Sequence, residues 1–292
     1  NETFLDEKTG YEITRIAPEG VNTRFNIRYP KESTFNIDDT KMKFQTDSGT
    51  CIVDVLDFNN RVYQQIPWGG LWSSLDPDIQ FGVYRQAPSD VYFYEWSVSG
   101  NSSTSLHDFS TTHTDIDIGY AEGNIDRQDR FVALICTKKA PYLGTEKEII
   151  ILDIQQAKLT PNTPANIWSR VDLPAGDIDW VSMSQSGNYI VVQIRTIGIW
   201  VYDNTGNNDG LDTGVPTNYR QFSTINSHGD LGIDVNGEDV YIGIMNYPDL
   251  GIDDLFMHMT RVRDGFEVKK FYDAGSPKGI YGLHISCRTS RQ

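Results

Sequence analysis

The stretch Trp180-Val181-Ser182-Met183-Ser184-Gln185-Ser186-Gly187-Asn188-Tyr189-Ile190-Val191 decides the fold. An alternating apolar run meets a polar turn, and a second apolar run starts at once, the pattern of two strands joined tightly. The same unit occurs elsewhere in the chain: Phe35-Asn36-Ile37-Asp38-Asp39-Thr40-Lys41-Met42, Ser73-Ser74-Leu75-Asp76-Pro77-Asp78-Ile79, Gly123-Asn124-Ile125-Asp126 leading to Phe131, and Leu231-Gly232-Ile233-Asp234-Val235-Asn236-Gly237-Glu238-Asp239-Val240. The strands after the turns begin at Met42, Ile79, Phe131, Tyr189 and Val240, so the separations are 37, 52, 58 and 51 residues.

Two further strand-like runs follow each turn. After Tyr189–Ile194 come Ile199–Tyr202 and Tyr219–Phe222; after Val240–Ile244 come Leu255–Thr260 and Glu267–Tyr272. Ile52–Phe58, Val91–Val98, Phe131–Cys136 and Ile149–Ile154 are runs of the same kind, rich in Val, Ile, Tyr and Phe,. No segment carries the i, i+3, i+4, i+7 apolar spacing of a helix over three turns. The class is all-β. Four strands per repeat of roughly 40–50 residues predict a β-propeller. The blades are expected at about 30–66, 70–110, 118–174, 177–224 and 228–274, and a sixth starts at Ile280–Cys287. The chain 1–292 is read as one propeller domain, trimmed from a seven-bladed protein and lacking its C-terminal blades.

The Trp180-x-Ser182-x-Ser184-x-Ser186-Gly187-Asn188-Tyr189-Ile190-Val191 spacing resembles the blade motif of TolB-like, or WD40-like, propellers. The opening Phe4-Leu5-Asp6-Glu7-Lys8-Thr9-Gly10-Tyr11-Glu12-Ile13 looks like the first strand of secreted bacterial propellers such as the oligogalacturonate and ulvan-lyase-like proteins. The resemblance implies a secreted or periplasmic protein. Its activity would be that of a polysaccharide lyase on a uronic-acid-containing glycan. No His-x-His pair occurs before Gln292, a departure from the oligogalacturonate lyases.

Candidate site residues follow from aligning the copies on the apolar residue before the turn, taken as Ile37, Leu75, Ile125, Met183, Ile233 and Cys287. One position upstream stand the small or polar Asn36, Ser74, Asn124, Ser182, Gly232 and Ser286, expected to line a common axis. Three upstream stand Thr34, Trp72, Glu122, Trp180, Asp230 and His284, expected as a ring at the channel mouth. Trp72, Glu122, Trp180 and Asp230 are the candidate ligand-binding residues, although Trp180 is expected to pack between blades. His284 and Cys287, with His228, are the candidate metal ligands, since zinc takes such mixtures. Strand alternation sets His284 and Cys287 on opposite faces unless a bulge intervenes. Elimination on a uronate needs a base for the C5 proton, an acid for the leaving oxygen and a cation for the carboxylate. His113, His228 or His284 would serve as base, Tyr120 or Tyr247 as acid, and Arg288 as the cation.

Composition narrows the partners. With 25 basic and 40 acidic residues the net charge is −15, which argues against nucleic acid,. No apolar run approaches the ~20 residues of a membrane helix. Cys51, Cys136 and Cys287 make no disulfide framework,. The loop Asp203-Asn204-Thr205-Gly206-Asn207-Asn208-Asp209-Gly210-Leu211-Asp212 offers oxygens at alternate positions, as calcium favours. It lacks the closing Glu of an EF-hand and reads more readily as a solvated hairpin,. A divalent metal, zinc or calcium, is the one cofactor considered. Phosphate-loop, dinucleotide, HExxH and nucleophile-elbow motifs are absent,. Two readings stand: a carbohydrate-active, lyase-like propeller holding a polysaccharide or small glycan, and a non-catalytic TolB-like propeller binding a protein or glycan at the channel mouth.

Overall fold

The computed structural model describes residues 2–15, 33–46, 49–57, 61–63, 70–86, 90–119, 123–139, 146–171, 177–195, 197–204, 219–223, 229–247, 252–265 and 267–273. Strands β1 (Glu2–Leu5) and β2 (Glu12–Arg15) form a hairpin by themselves. Five antiparallel sheets follow in chain order. Blade 1 holds β3 (Lys41–Thr46), β4 (Gly49–Asp54) and β5 (Arg61–Tyr63), and the Phe35–Met42 bridge stands for its inner strand. Blade 2 is β6 (Leu71–Trp72), β7 (Ile79–Gln86), β8 (Asp90–Ser97) and β9 (Ser102–Asp108). Blade 3 is β10 (His113–Asp117), β11 (Phe131–Lys138), β12 (Lys147–Asp153) and β13 (Ile167–Val171). Blade 4 is β14 (Ile178–Met183), β15 (Tyr189–Ile194), β16 (Gly198–Asp203) and β17 (Tyr219–Ser223). Blade 5 is β18 (Asp230–Ile233), β19 (Asp239–Tyr247), β20 (Ile252–Arg261) and β21 (Glu267–Asp273).

The repeated turn has a physical cause. In blades 1, 3, 4 and 5 the fourth residue donates its N–H to the carbonyl of the first: Asp39 to Asn36, Asp129 to Asp126, Gly187 to Ser184 and Gly237 to Asp234. That fourth residue is left-handed, with φ of 59°, 51°, 79° and 82°, so Gly or Asp fills it. The first residue caps the turn with its side chain. Asn36 Oδ1 accepts from Lys41 N, Asp126 Oδ1 from Phe131 N, Ser184 Oγ from Tyr189 N, and Asp234 Oδ1 from Glu238 N.

This pattern corrects the alignment in two blades. Phe35, Trp72, Ile125, Met183 and Ile233 occupy equivalent last positions of the inner strands. Ile37 and Leu75 lie inside the turns, where an apolar residue mimics the end of a strand. Hence Asn36 and Ser74 are turn residues; Asn124, Ser182 and Gly232 keep the expected register, and Ser286 lies outside the described residues.

Apolar faces pack between neighbouring blades. Phe81, Phe93, Leu106, Ile116, Val132 and Ile150 join blades 2 and 3, and Ala133, Ile151, Val181 and Val192 join blades 3 and 4. Trp180, Val191, Leu231 and Tyr241 join blades 4 and 5. Polar latches tie the turns together as well. Asp129 accepts from Ser73 Oγ and from Ser74 N at 2.8 Å. Asp239 accepts from Ser184 Oγ at 3.2 Å, Ser186 N at 3.0 Å and Ser186 Oγ. The strand expected to reach Ile154 stops at Asp153, whose carboxylate caps helix α1 (Ile154–Leu159) through Gln156 N. None of the described helices is long and apolar enough to cross a membrane.

Candidate functional site

The inner strands of blades 2 to 5 begin at Leu71, His113, Ile178 and Asp230, and the side chains at these positions are buried. Blade 3 places a buried carboxylate at this end. Glu148 Oε1 lies 2.8 Å from His113 Nε2 and 2.6 Å from Arg170 Nη1, and Oε2 lies 3.8 Å from Lys138 Nζ. Burial alone would raise the Glu148 pKa; the His113 hydrogen bond and the Arg170 and Lys138 charges outweigh it and hold the carboxyl below its ordinary value,. The ribbon continues into blade 4. Lys147 Nζ pairs with Asp177 at 3.2 Å, Arg195 bridges Asp177 at 3.5 Å and Asp179 at 2.8 Å, and Gln193 Nε2 donates to Asp179. Lys138, Lys147, Arg170 and Arg195 keep 19%, 29%, 28% and 60% of their side chains exposed. These residues escaped the sequence reading. The Asp177-Ile178-Asp179 pair just ahead of Trp180 was the available signal.

The channel itself is polar and crowded. Blade 3's inner strand breaks after Asp117 and resumes as a bridge at Ile125. The resuming segment crosses onto the inner edge of blade 4: Met183 N donates to Asn124 O at 3.3 Å, and Asn124 N donates to Ser182 Oγ at 3.1 Å. Glycine is required on this path. Gly119 has φ +60°, and a Cβ there would sit 2.1 Å from Val181 O; one on Gly123 would sit 2.9 Å from the same oxygen. The path carries Asn124 past blade 4 to blade 5, where its Nδ2 donates to Asp230 Oδ1 at 2.9 Å. Asn124, Ser182 and Asp230 are all buried.

Of the expected ring, Asp230 is buried and bonded to Asn124 rather than to a histidine. Trp180 is 1% exposed and stacks on Tyr241 of blade 5 at 6.3 Å. Trp72 is equivalent to Met183, not Trp180, and packs with Ile52, Tyr94 and Trp96 between blades 1 and 2. Thr34 bonds through its backbone to Lys43 N and Trp72 Nε1, at the level of Ser182. His113 is 2% exposed; Thr112 Oγ1 occupies its Nδ1 and Glu148 its Nε2. Blade 3 begins at this histidine, five residues before the expected boundary at 118. Tyr247 pairs its backbone with Ile252. Tyr120, Glu122, His228, His284, Cys287 and Arg288 lie outside the described residues, as do residues 205–218 of the acidic loop and Ile280–Cys287. Among the described residues no three His, Cys, Asp or Glu side chains gather to hold a metal.

These features define a β-propeller with a charged ribbon across blades 3 and 4. The fold is TolB-like and resembles oligogalacturonate lyase. The oligogalacturonate lyase of Vibrio parahaemolyticus superposes with a TM-score of 0.57 and 13% identity, over 93% of this chain and 72% of that one. An oligogalacturonate lyase in complex with manganese gives 0.57 and 13%, over 92% and 72%. A protein assigned as TolB from Agrobacterium tumefaciens gives 0.51 and 10%, over 83% and 80%. No protein-family model and no curated protein sequence matches the chain.

Proposed function

We propose that the chain is a secreted or periplasmic carbohydrate-active propeller that takes a uronic-acid-containing glycan at the channel mouth and cleaves it by β-elimination. Fold likeness raises the reading but does not carry it, because one propeller hosts unrelated functions. The observation that carries it is the ribbon of Lys138, Lys147, Arg170 and Arg195 across blades 3 and 4, four partly exposed cations at the end where the inner strands begin, in a chain with net charge −15. A uronate carboxylate needs such partners on binding and more so as charge builds up during C5 deprotonation. Glu148, Asp177 and Asp179 hold these cations in place.

One observation favours a non-catalytic, TolB-like binder instead. His113 has both ring nitrogens occupied and almost no surface, so it offers no base to a substrate. The test is a panel of polygalacturonate, alginate, ulvan and a neutral glucan. Growth of absorbance near that of an unsaturated uronate supports the lyase. Binding by calorimetry without such growth supports the binder. Neither signal on any uronate removes the glycan reading.

A further inference from the structure

We infer that Asn236, on the turn joining β18 to β19, is a site of spontaneous covalent modification, deamidation through attack by the Gly237 nitrogen, and that the product loosens this turn. Asn236-Gly237 is the one Asn-Gly pair in the sequence. The attacking nitrogen belongs to the following residue, and glycine brings no side chain to obstruct its approach. The structure leaves the place open. Asn236 and Gly237 are both exposed, and a Cβ on Gly237, where φ is +82°, would meet nothing within 4 Å. The matching glycine of blade 4 differs on both counts: Gly187 follows Ser186, and a Cβ there would sit 2.8 Å from Asp126 Oδ2. Asn101 is exposed at a hairpin too, but Ser102 follows it.

The chemistry balances without an oxidant or reductant. The bond from Gly237 N to Asn236 Cγ forms, the Cγ–Nδ2 bond breaks, and the Gly237 amide proton leaves with Nδ2 as ammonia. Water then opens the five-membered imide. Cleavage at Cγ gives aspartate; cleavage at the Asn236 backbone carbonyl carbon gives isoaspartate, with the chain rerouted through the side chain. In the resting turn Gly237 N donates to Asp234 O at 3.0 Å and Asn236 Nδ2 to Asp234 Oδ2 at 3.2 Å. These bonds restrain both reacting groups, so the reaction runs through local opening of the turn. The product acts on the same residues. Hydrogen bonds from Glu238 N, and from Asn236 through its backbone and its side chain, hold the Asp234 carboxyl below its ordinary pKa. A carboxylate at position 236 replaces the side-chain donor with a like charge. Isoaspartate also lengthens the backbone by one methylene inside the loop that the Gly237-to-Asp234 bond closes. Asp239, which latches Ser184 and Ser186 of blade 4, lies two residues beyond Gly237. This inference is independent of the glycan reading.

The test is ageing of the folded full chain in mildly alkaline buffer, followed by peptide mapping with mass spectrometry, isoaspartate methyltransferase labelling and thermal melting. The peptide holding Asn236 is expected to gain about 1 Da ahead of every other asparagine peptide, to accept the isoaspartate label, and the aged chain to melt lower. Asn236→Gln is expected to lose the mass gain and the label there and to keep its Tm on ageing. Fresh Asn236→Asp should reproduce part of the fall in Tm. Three results overturn the inference. The first is no gain at Asn236 over a period in which the urea-unfolded chain converts, since the turn would then protect its asparagine. The second is an equal gain at the Asn101 peptide, since Gly237 would then confer no selectivity. The third is a converted chain with unchanged Tm, since the product would then leave the turn intact.

Discussion

Trp180 shows how burial decides a residue's role. A tryptophan at a channel mouth would suit the face of a sugar ring, but this one stacks on Tyr241 with 1% of its surface exposed. Trp180→Ala should therefore cost about 3–5 kcal/mol, the usual range for a large buried aromatic, while leaving glycan affinity of the remaining folded protein unchanged. Urea melts paired with binding isotherms check both halves; a loss of affinity without a loss of stability would return Trp180 to the site. His107 makes a second residue-scale case. Burial against Phe109, 4.5 Å between ring centres, pushes its pKa from 6.5 down to about 4. The unfolded chain takes up this proton below 6.5 and the folded chain resists until about 4. Stability should thus fall as pH drops through that window, by at most roughly 3 kcal/mol. Stability of His107→Gln should depend less on pH between 6.5 and 4; an unchanged slope would reject the assignment. Glu148 acts below that window. Its folded pKa lies under the ordinary 4.5, so its contribution is present above 4.5 and fades as pH falls further,.

Elements explain why part of the sequence reading held and part slipped. The turn was legible because a left-handed fourth residue restricts its composition, as Gly187, Gly237, Asp39 and Asp129 show,. The inner strands were less legible. Leu71-Trp72 is only two residues long, and apolar Leu75 in the following turn, 63% exposed, imitates a strand end. The break in blade 3 was invisible to periodicity, since Gly119 and Gly123 serve an approach to Val181 O from a distant strand. Gly119→Ala should cost at least about 2 kcal/mol, from the left-handed backbone plus the 2.1 Å clash,. Calorimetric melting checks this, and a neutral substitution would mean the crossing is wrongly placed. The latch at Asp239 joins two elements through three hydrogen bonds. Asp239→Ala should lose about 2–3 kcal/mol, as for bonds to a charged acceptor. Amide exchange should quicken in β18 and β19 before β10 and β11; uniform exchange would show that the latch couples nothing.

At the scale of the whole molecule, the propeller was readable because four of the five described blades obey the same turn rule, and rules that repeat accumulate evidence,. The site was not, because it is built where the repeat is broken or varied. Glu148 meets Arg170 and His113 only after three strands of blade 3 align, and Asn124 meets Asp230 across an intervening blade. Charge is the property that acts over the whole molecule, and it makes the glycan reading testable. A net −15 surrounds a ribbon of four cations, paired with Glu148, Asp177 and Asp179. A polyuronate feels two opposed forces: repulsion from the distant carboxylates and attraction to the cations it touches. Salt screens the two unequally. The Debye length is about 30 Å at 0.01 M and about 8 Å at 0.15 M, so added salt removes the long-range repulsion first and leaves close contacts at the ribbon largely intact. Polygalacturonate should therefore bind more tightly at 0.15 M sodium chloride than at 0.01 M, the reverse of the usual trend for a charged ligand. Lys147→Ala and Arg195→Ala should weaken binding at both salt concentrations, and a neutral glucan should respond to neither change. Affinity that falls steadily with salt in the wild type would mean that the ribbon's attraction already outweighs the molecule's field at long range. Affinity indifferent to both salt and the two substitutions would remove the charged ribbon as the binding surface.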